Sequence, residues 1–249
     1  MKASFLTAAI LMLGMVLLPA ANAAELKVLA GGSIAGPLNE LKAQFEQTSG
    51  HKLTIHFDST PNLIKLATSD APFDLGVVPI DVFKDAAAKA KFAGPTIDIA
   101  RVGYGVAVRA GTAKPDISSP EALKQTLSKA QSIATLPASA AGAYVLSVFE
   151  RLGIGEAMKA KIKAQATPAA IPQAVAKGEA ELGVFLTNVL IAPGVELAGP
   201  FPAELQQELI FTAAVALASK ETDAAKAFIT YLKTPAAIAV IKAKGMNPG

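Results

Sequence analysis

The sequence predicts an α/β fold in two lobes, each a mixed, mostly parallel sheet flanked by helices, joined by two crossover segments. Three observations predict it. Strand–turn–helix units follow one another from residue 26 onward, which requires a sheet covered on both faces. A glycine-alternating stretch at 102–108 ends that series and opens a second one. An apolar run at 209–218 then returns the chain to the first lobe. These boundaries give a first lobe of 24–101 plus 213–249 and a second lobe of 102–212, with two crossings that act as a hinge.

The first residues read as an export leader: Lys2 supplies a positive start, residues 5–18 an apolar core, and Ala21-Asn22-Ala23 a small-residue cleavage site, so residues 1–23 are expected to stand outside the fold. The apolar core is too short to span a bilayer. Loss of Lys2 lowers the net charge from +3 to +2. Lysines are scattered singly, with no arginine cluster, which argues against nucleic acid as partner. Cysteine is absent, excluding disulfides, thiolate metal sites and a lipid anchor at the cleavage site.

In order, residues 26–29 form a strand and Ala30-Gly31-Gly32-Ser33-Ile34-Ala35-Gly36-Pro37 a glycine turn into a helix at 38–48, which stops at Ser49-Gly50. Such a junction aims unsatisfied backbone N–H groups, with the positive end of the helix dipole, above the strand's carboxyl end. The strand at 53–57 runs into a second such turn, Asp58-Ser59-Thr60-Pro61. A strand at 73–78 leads to a helix at 82–90, and a proline- and glycine-bearing connection follows. Ser119-Pro120 starts a helix to 130, ahead of a strand at 132–136. The small-residue helix start recurs at Pro137-Ala138-Ser139-Ala140-Ala141-Gly142 and again at Thr167-Pro168-Ala169-Ala170-Ile171-Pro172. Residues 182–186 form a buried strand followed by Thr187-Asn188, 195–197 a short strand, and 222–232 and 235–244 the terminal helices.

Four such starts, two per lobe, converge on one cleft if both sheets present their strand carboxyl ends to the same gap. The chemistry suits a small anion held without a formal counter-charge, by N–H groups around Gly32, Ala141 and Gly142 and by the hydroxyls of Ser33, Ser59, Thr60 and Ser139. Arg101, just before the crossover, either reaches the cleft, where a guanidinium suits a carboxylate, or pairs with Asp98 or a terminal acid. Tyr144 either closes the cleft or packs against its neighbours.

Other chemistries lack their residues. The first turn places Ser33 where a dinucleotide fingerprint needs its middle glycine, and no P-loop or nucleophile elbow is present. His51 and His56 are the only histidines, without a carboxylate cluster to complete a metal site. No cofactor or resident metal is expected.

With these turns laid out, the chain resembles the molybdate-binding proteins of ABC importers, within the type II periplasmic solute-binding proteins. The likeness rests on Leu26-Lys27-Val28-Leu29-Ala30-Gly31-Gly32-Ser33, Phe57-Asp58-Ser59-Thr60, Pro72-Phe73-Asp74-Leu75, Ala140-Ala141-Gly142-Ala143-Tyr144, the 178–184 segment and Phe228-Ile229-Thr230-Tyr231-Leu232 ahead of Pro235. It implies a monomeric periplasmic protein of the type II binding fold. It further implies an oxyanion held at Ser33, Thr60, Ala141 and Ile171, with an inner-membrane permease as partner. A tyrosine of that family falls here on Leu186, with Thr187 and Asn188 beside it, so Asn188 is the polar candidate on that wall. Aconitate isomerase is similar to the same family; on that alternative, Asp58 or His56 would serve as base beside a tricarboxylate.

Overall fold

The computed structural model of the protein describes residues 23–249; the leader expected at 1–23 lies outside them but for Ala23. The first lobe opens with β1 (Glu25–Gly31), a 3₁₀ turn (Gly32–Ile34), α1 (Ala35–Ser49), β2 (Lys52–Asp58), α2 (Thr60–Thr68) and β3 (Leu75–Pro79). After a 3₁₀ turn (Ile80–Lys84) and α3 (Ala86–Lys89), β4 (Phe92–Val102) ends the first passage. The second lobe holds β5 (Tyr104–Arg109), α4 (Pro120–Lys129), β6 (Ile133–Thr135), α5 (Ala140–Arg151), α6 (Gly155–Lys159), β7 (Ile162–Ala164), α7 (Ala170–Ala176), β8 (Leu182–Leu186), α8 (Thr187–Leu190) and β9 (Val195–Pro200). The chain returns through β10 (Leu209–Ala216), α9 (Thr222–Leu232), α10 (Pro235–Ala243) and β11 (Asn247–Pro248).

Local chemistry explains most of these elements. In α1 the apolar residues Leu38, Leu41 and Phe45 fall on one face and are buried, and Gly50 ends the helix in the left-handed region at φ 75°. Ser119 accepts a hydrogen bond from the Ala122 N–H at the start of α4, and Thr234 does the same for Ala237 in α10. Among the described residues no single helix is long and apolar enough to cross a membrane.

The two sheets have the orders β11-β4-β10-β3-β1-β2 and β7-β6-β8-β5-β9. Both are mixed. Parallel pairing runs through β3-β1-β2 and β7-β6-β8, while the crossover strands pair antiparallel, so the antiparallel share is larger than the strand–helix units alone suggest. β10 pairs with β4 from Leu209 to Ala216 and with β3 over Phe211–Val215, which puts the return crossing before Leu209 rather than at 212–213. The segment before Arg101, read from sequence as a connection, is the eleven-residue β4. Its Gly94-Pro95 pair is accommodated because the pairing to β10 shifts register opposite it, between Ala213 and Val215.

A glutamine bridges the two crossings of the hinge. Gln206, in the return crossing, accepts from the Tyr104 N–H at 2.8 Å and donates to the Tyr104 carbonyl at 2.9 Å. Gly103 leaves that glutamine its place, since a Cβ there would lie 3.0 Å from it.

Phe228 in α9 is fully buried and packs on Phe45 with ring centroids 4.9 Å apart. Phe228→Ala is expected to cost about 3–5 kcal/mol in urea unfolding, the range for a buried aromatic truncated in a core that relaxes only in part.

Candidate functional site

Parallel register builds the site. Gly31 lies opposite Asp58 at the carboxyl ends of β1 and β2, so the first two turns stand side by side. Thr135 lies opposite Ala164 at the ends of β6 and β7, so the third and fourth turns do the same in the other lobe. All four face one cavity of about 190 Å³ between the lobes, walled by Gly31-Gly32-Ser33, Asp58-Ser59-Thr60, Ser139-Ala140-Ala141 and Thr167-Pro168-Ala169. Its floor is apolar: Phe57, Pro79, Leu136, Leu209 and Phe211. The lobes meet closely, since a Cβ on Gly32 would lie 3.3 Å from the Pro168 ring.

Three of these four helix starts carry no side-chain cap: the 3₁₀ turn after Gly31, α2 after Ser59, and α7 after Ala169. The first N–H groups of a helix have no partner within it; those that follow Gly31 and Ser59 stand at the shared space with the positive ends of the helix dipoles, whereas at α7 the Ala170 and Ile171 N–H groups bond the Thr167 and Pro168 carbonyls and the wall is the turn before them. At the third start, Ser139 caps α5. Its hydroxyl accepts from the Gly142 N–H at 2.9 Å and donates to the Leu136 carbonyl at 2.8 Å. That hydroxyl is therefore spent within the turn, and the third wall offers backbone from Ala140 and Ala141 instead.

Of the sequence candidates, Gly32, Ser33, Ser59, Thr60, Ser139 and Ala141 line the cavity. Gly142 and Ile171 do not. Gly142 is buried under the Leu136 carbonyl, with its N–H taken by Ser139. Ile171 is fully buried and its N–H bonds the Pro168 carbonyl at 3.1 Å, so the fourth wall is the preceding turn, Thr167 to Ala169. Arg101 also stands outside the lining: it faces Glu208 with Nη1 3.8 Å from Oε2, not Asp98, whose carboxylate accepts from Thr212. Asn188 reaches the site's frame rather than its lining, donating from Nδ2 to the Ser33 carbonyl at 2.8 Å. Tyr144 packs on Tyr104 at a centroid distance of 4.6 Å and donates to the Leu205 carbonyl. Phe211, Pro79 and Leu209 were missed from sequence, because only the pairing of β10 with β3 and β4 brings them under the turns.

Among the described residues, no lysine, arginine or histidine lines the cavity. Asp58 is the one charged residue on its wall. Burial pushes its carboxyl up, but hydrogen bonds from the Asn62 amide, the Ser59 N–H and His56 together outweigh this and hold it below the ordinary carboxylate value. The carboxylate thus stays ionised at neutral pH, and its oxygens are already engaged. His56, with Nε2 3.3 Å from Asp58 Oδ2, lies on the exposed side and outside the lining.

The sequence profile of the bacterial extracellular solute-binding proteins matches residues 26–247. The chain belongs to that family. Among curated relatives it is 32% identical to an aconitate isomerase from a Pseudomonas species, over 96% of this chain and 94% of the relative. It is 31% identical to the molybdate-binding protein ModA of Azotobacter vinelandii, over 91% of each. A solved structure of an Azotobacter vinelandii periplasmic molybdate-binding protein superposes with a TM-score of 0.73 at 22% identity, covering 89% of this chain and 98% of that one. The two-lobed binding-protein fold is thereby shown, and the relatives are the two groups that the sequence resembles.

Gly142 tests how tightly the third wall is built. A Cβ there would overlap the Leu136 carbonyl oxygen, so Gly142→Ala is expected to destabilise the protein by roughly 1–3 kcal/mol, as overpacking does. Thermal unfolding of the ligand-free variant checks this.

Proposed function

We propose that the protein captures a small tetrahedral oxyanion of the molybdate class in the periplasm and passes it to an ABC importer in the inner membrane. The observation that carries this reading is the convergence of four small-residue helix starts, three of them without a side-chain cap, on one cavity that no cationic side chain among the described residues lines. An oxyanion there takes the role of the missing caps, accepting N–H groups from both lobes and the hydroxyls of Ser33, Ser59 and Thr60. Closure excludes water, and each of these bonds strengthens in the lower local dielectric.

Size agrees. A cavity of about 190 Å³ holds roughly the volume of six waters at ~30 Å³ each and falls below the ~300–1,000 Å³ typical of drug-sized ligands. A tetrahedral oxyanion fits; a tricarboxylate is larger and carries several charges into a cavity that already has Asp58 on its wall.

The second reading, isomerisation of a tricarboxylate, rests on the relative at 32% identity. It needs a base that meets a substrate carbon. Asp58 is held ionised by three hydrogen-bond donors, which makes it a weak base, and His56 does not line the cavity. Binding without chemistry is the better supported reading.

The test is a thermal-shift screen with molybdate, tungstate, sulfate, phosphate and the aconitate isomers. A ligand at about 100 times its Kd stabilises by ~2.7 kcal/mol, a rise in Tm of roughly 5–10 °C for a chain this size. At least one inorganic oxyanion is expected to give that rise. Arg101→Ala is expected to leave the rise intact, because Arg101 faces Glu208 away from the cavity. No shift with any oxyanion, together with interconversion of cis- and trans-aconitate, would replace binding with catalysis.

A further inference from the structure

One hydrogen bond crosses the cleft directly onto a binding turn. The Asn188 side-chain amide, at the carboxyl end of β8 in the second lobe, donates to the backbone carbonyl of Ser33 in the first lobe at 2.8 Å. The sequence explains why that carbonyl is available. In an α-helical continuation its donor would be the N–H of residue 37, and residue 37 is Pro37, which has none. The amide orientation follows from the same chemistry, because the opposite one would set Asn188 Oδ1 against an oxygen that can only accept. Oδ1 is itself buried and has no partner among the described residues, so the Ser33 carbonyl is what holds this side chain.

A second fit lies at the same junction. Gly245, following α10 in the first lobe, has φ 76°, and a Cβ there would lie 2.7 Å from the Ile191 side chain and 3.6 Å from the Asn188 Cα. The α8 turn is thus seated on the first lobe from two sides, at Ser33 and at Gly245. Because Asn188 stands outside the cavity lining while Ser33 is part of it, the amide grips the binding turn without entering the cavity.

We propose that Asn188 is an interlobe latch: a positioning residue that stabilises the closed cleft through the Ser33 carbonyl and so strengthens capture of any anion by a common factor. The anion half of this statement rests on the function proposed above; the latch itself does not. A bond available only in the closed state adds its free energy to ligand binding whichever anion is bound. A contact to the ligand would instead alter the ranking of anions.

The test compares the wild type with Asn188→Ala, Asn188→Asp and the double variant Asn188→Ala/Pro37→Ala. Calorimetric Kd values are taken for molybdate, tungstate, sulfate and phosphate, and the radius of gyration of each ligand-free protein from X-ray scattering. Asn188→Ala is expected to weaken every anion that the wild type binds by the same factor, about three- to tenfold, the worth of one net hydrogen bond. Asn188→Asp, which sets a carboxylate against the carbonyl, is expected to weaken them further and to enlarge the ligand-free protein. The double variant restores an N–H to the Ser33 carbonyl from within its own helix but not across the cleft, so its affinity is expected to stay low. Recovery of affinity in the double variant would show that Asn188 merely satisfies the turn, and an altered anion ranking would show a direct ligand contact; either overturns the latch. If the wild type binds none of the four anions, the oxyanion reading fails on its own. The latch then stands or falls on scattering, where an Asn188→Asp protein no larger than the wild type overturns it.

Discussion

The first N–H groups of a helix cannot be satisfied from inside the helix, and the geometry of this protein follows from where that constraint is left open. Parallel register brings two such helix starts together in each sheet, and the two lobes set the pairs face to face around one cavity. Three starts lack a side-chain cap. The one that has a cap, at Ser139, also consumes that hydroxyl's proton on the Leu136 carbonyl. The site is therefore built chiefly from backbone, and backbone donors cannot be lost by side-chain motion. They also carry no formal charge.

The same economy governs the connections between lobes. Gln206 binds both backbone polar groups of Tyr104, so one amide bridges the two crossings. Gly32 brings the first turn against Pro168 of the opposite lobe with no side chain intervening. Asp58 is kept compatible with an anion cavity because Asn62, Ser59 and His56 engage its carboxylate. These pairings occupy polar groups that would otherwise compete for, or repel, an anion in the cleft.

Much of this was legible in the sequence because it is local. Hydrophobic periodicity and terminal residues placed α9 at its observed bounds, and small residues after apolar runs marked all four turns. What was not legible depends on partners distant in the chain. β4 reads as a connection because of Gly94-Pro95, and becomes a strand only by pairing with β10, more than a hundred residues later. Arg101 stands before the hinge but is drawn to Glu208. Ile171 lies in the fourth turn, yet its N–H is used by Pro168, and the wall shifts to Thr167–Ala169. Asn188 was identifiable as a polar group near the site. Its bond to a carbonyl in the other lobe was not, since the two residues stand 155 positions apart in the chain.

The central claim is that an oxyanion occupies the space shared by the four helix starts. Crystals grown with tungstate, with data collected at the tungsten absorption edge, test it most directly. The account predicts a single anomalous peak within hydrogen-bonding reach of the turns at Ser33, Thr60, Ala141 and Thr167. A peak elsewhere on the molecule, with ordered water alone between those turns, would contradict it.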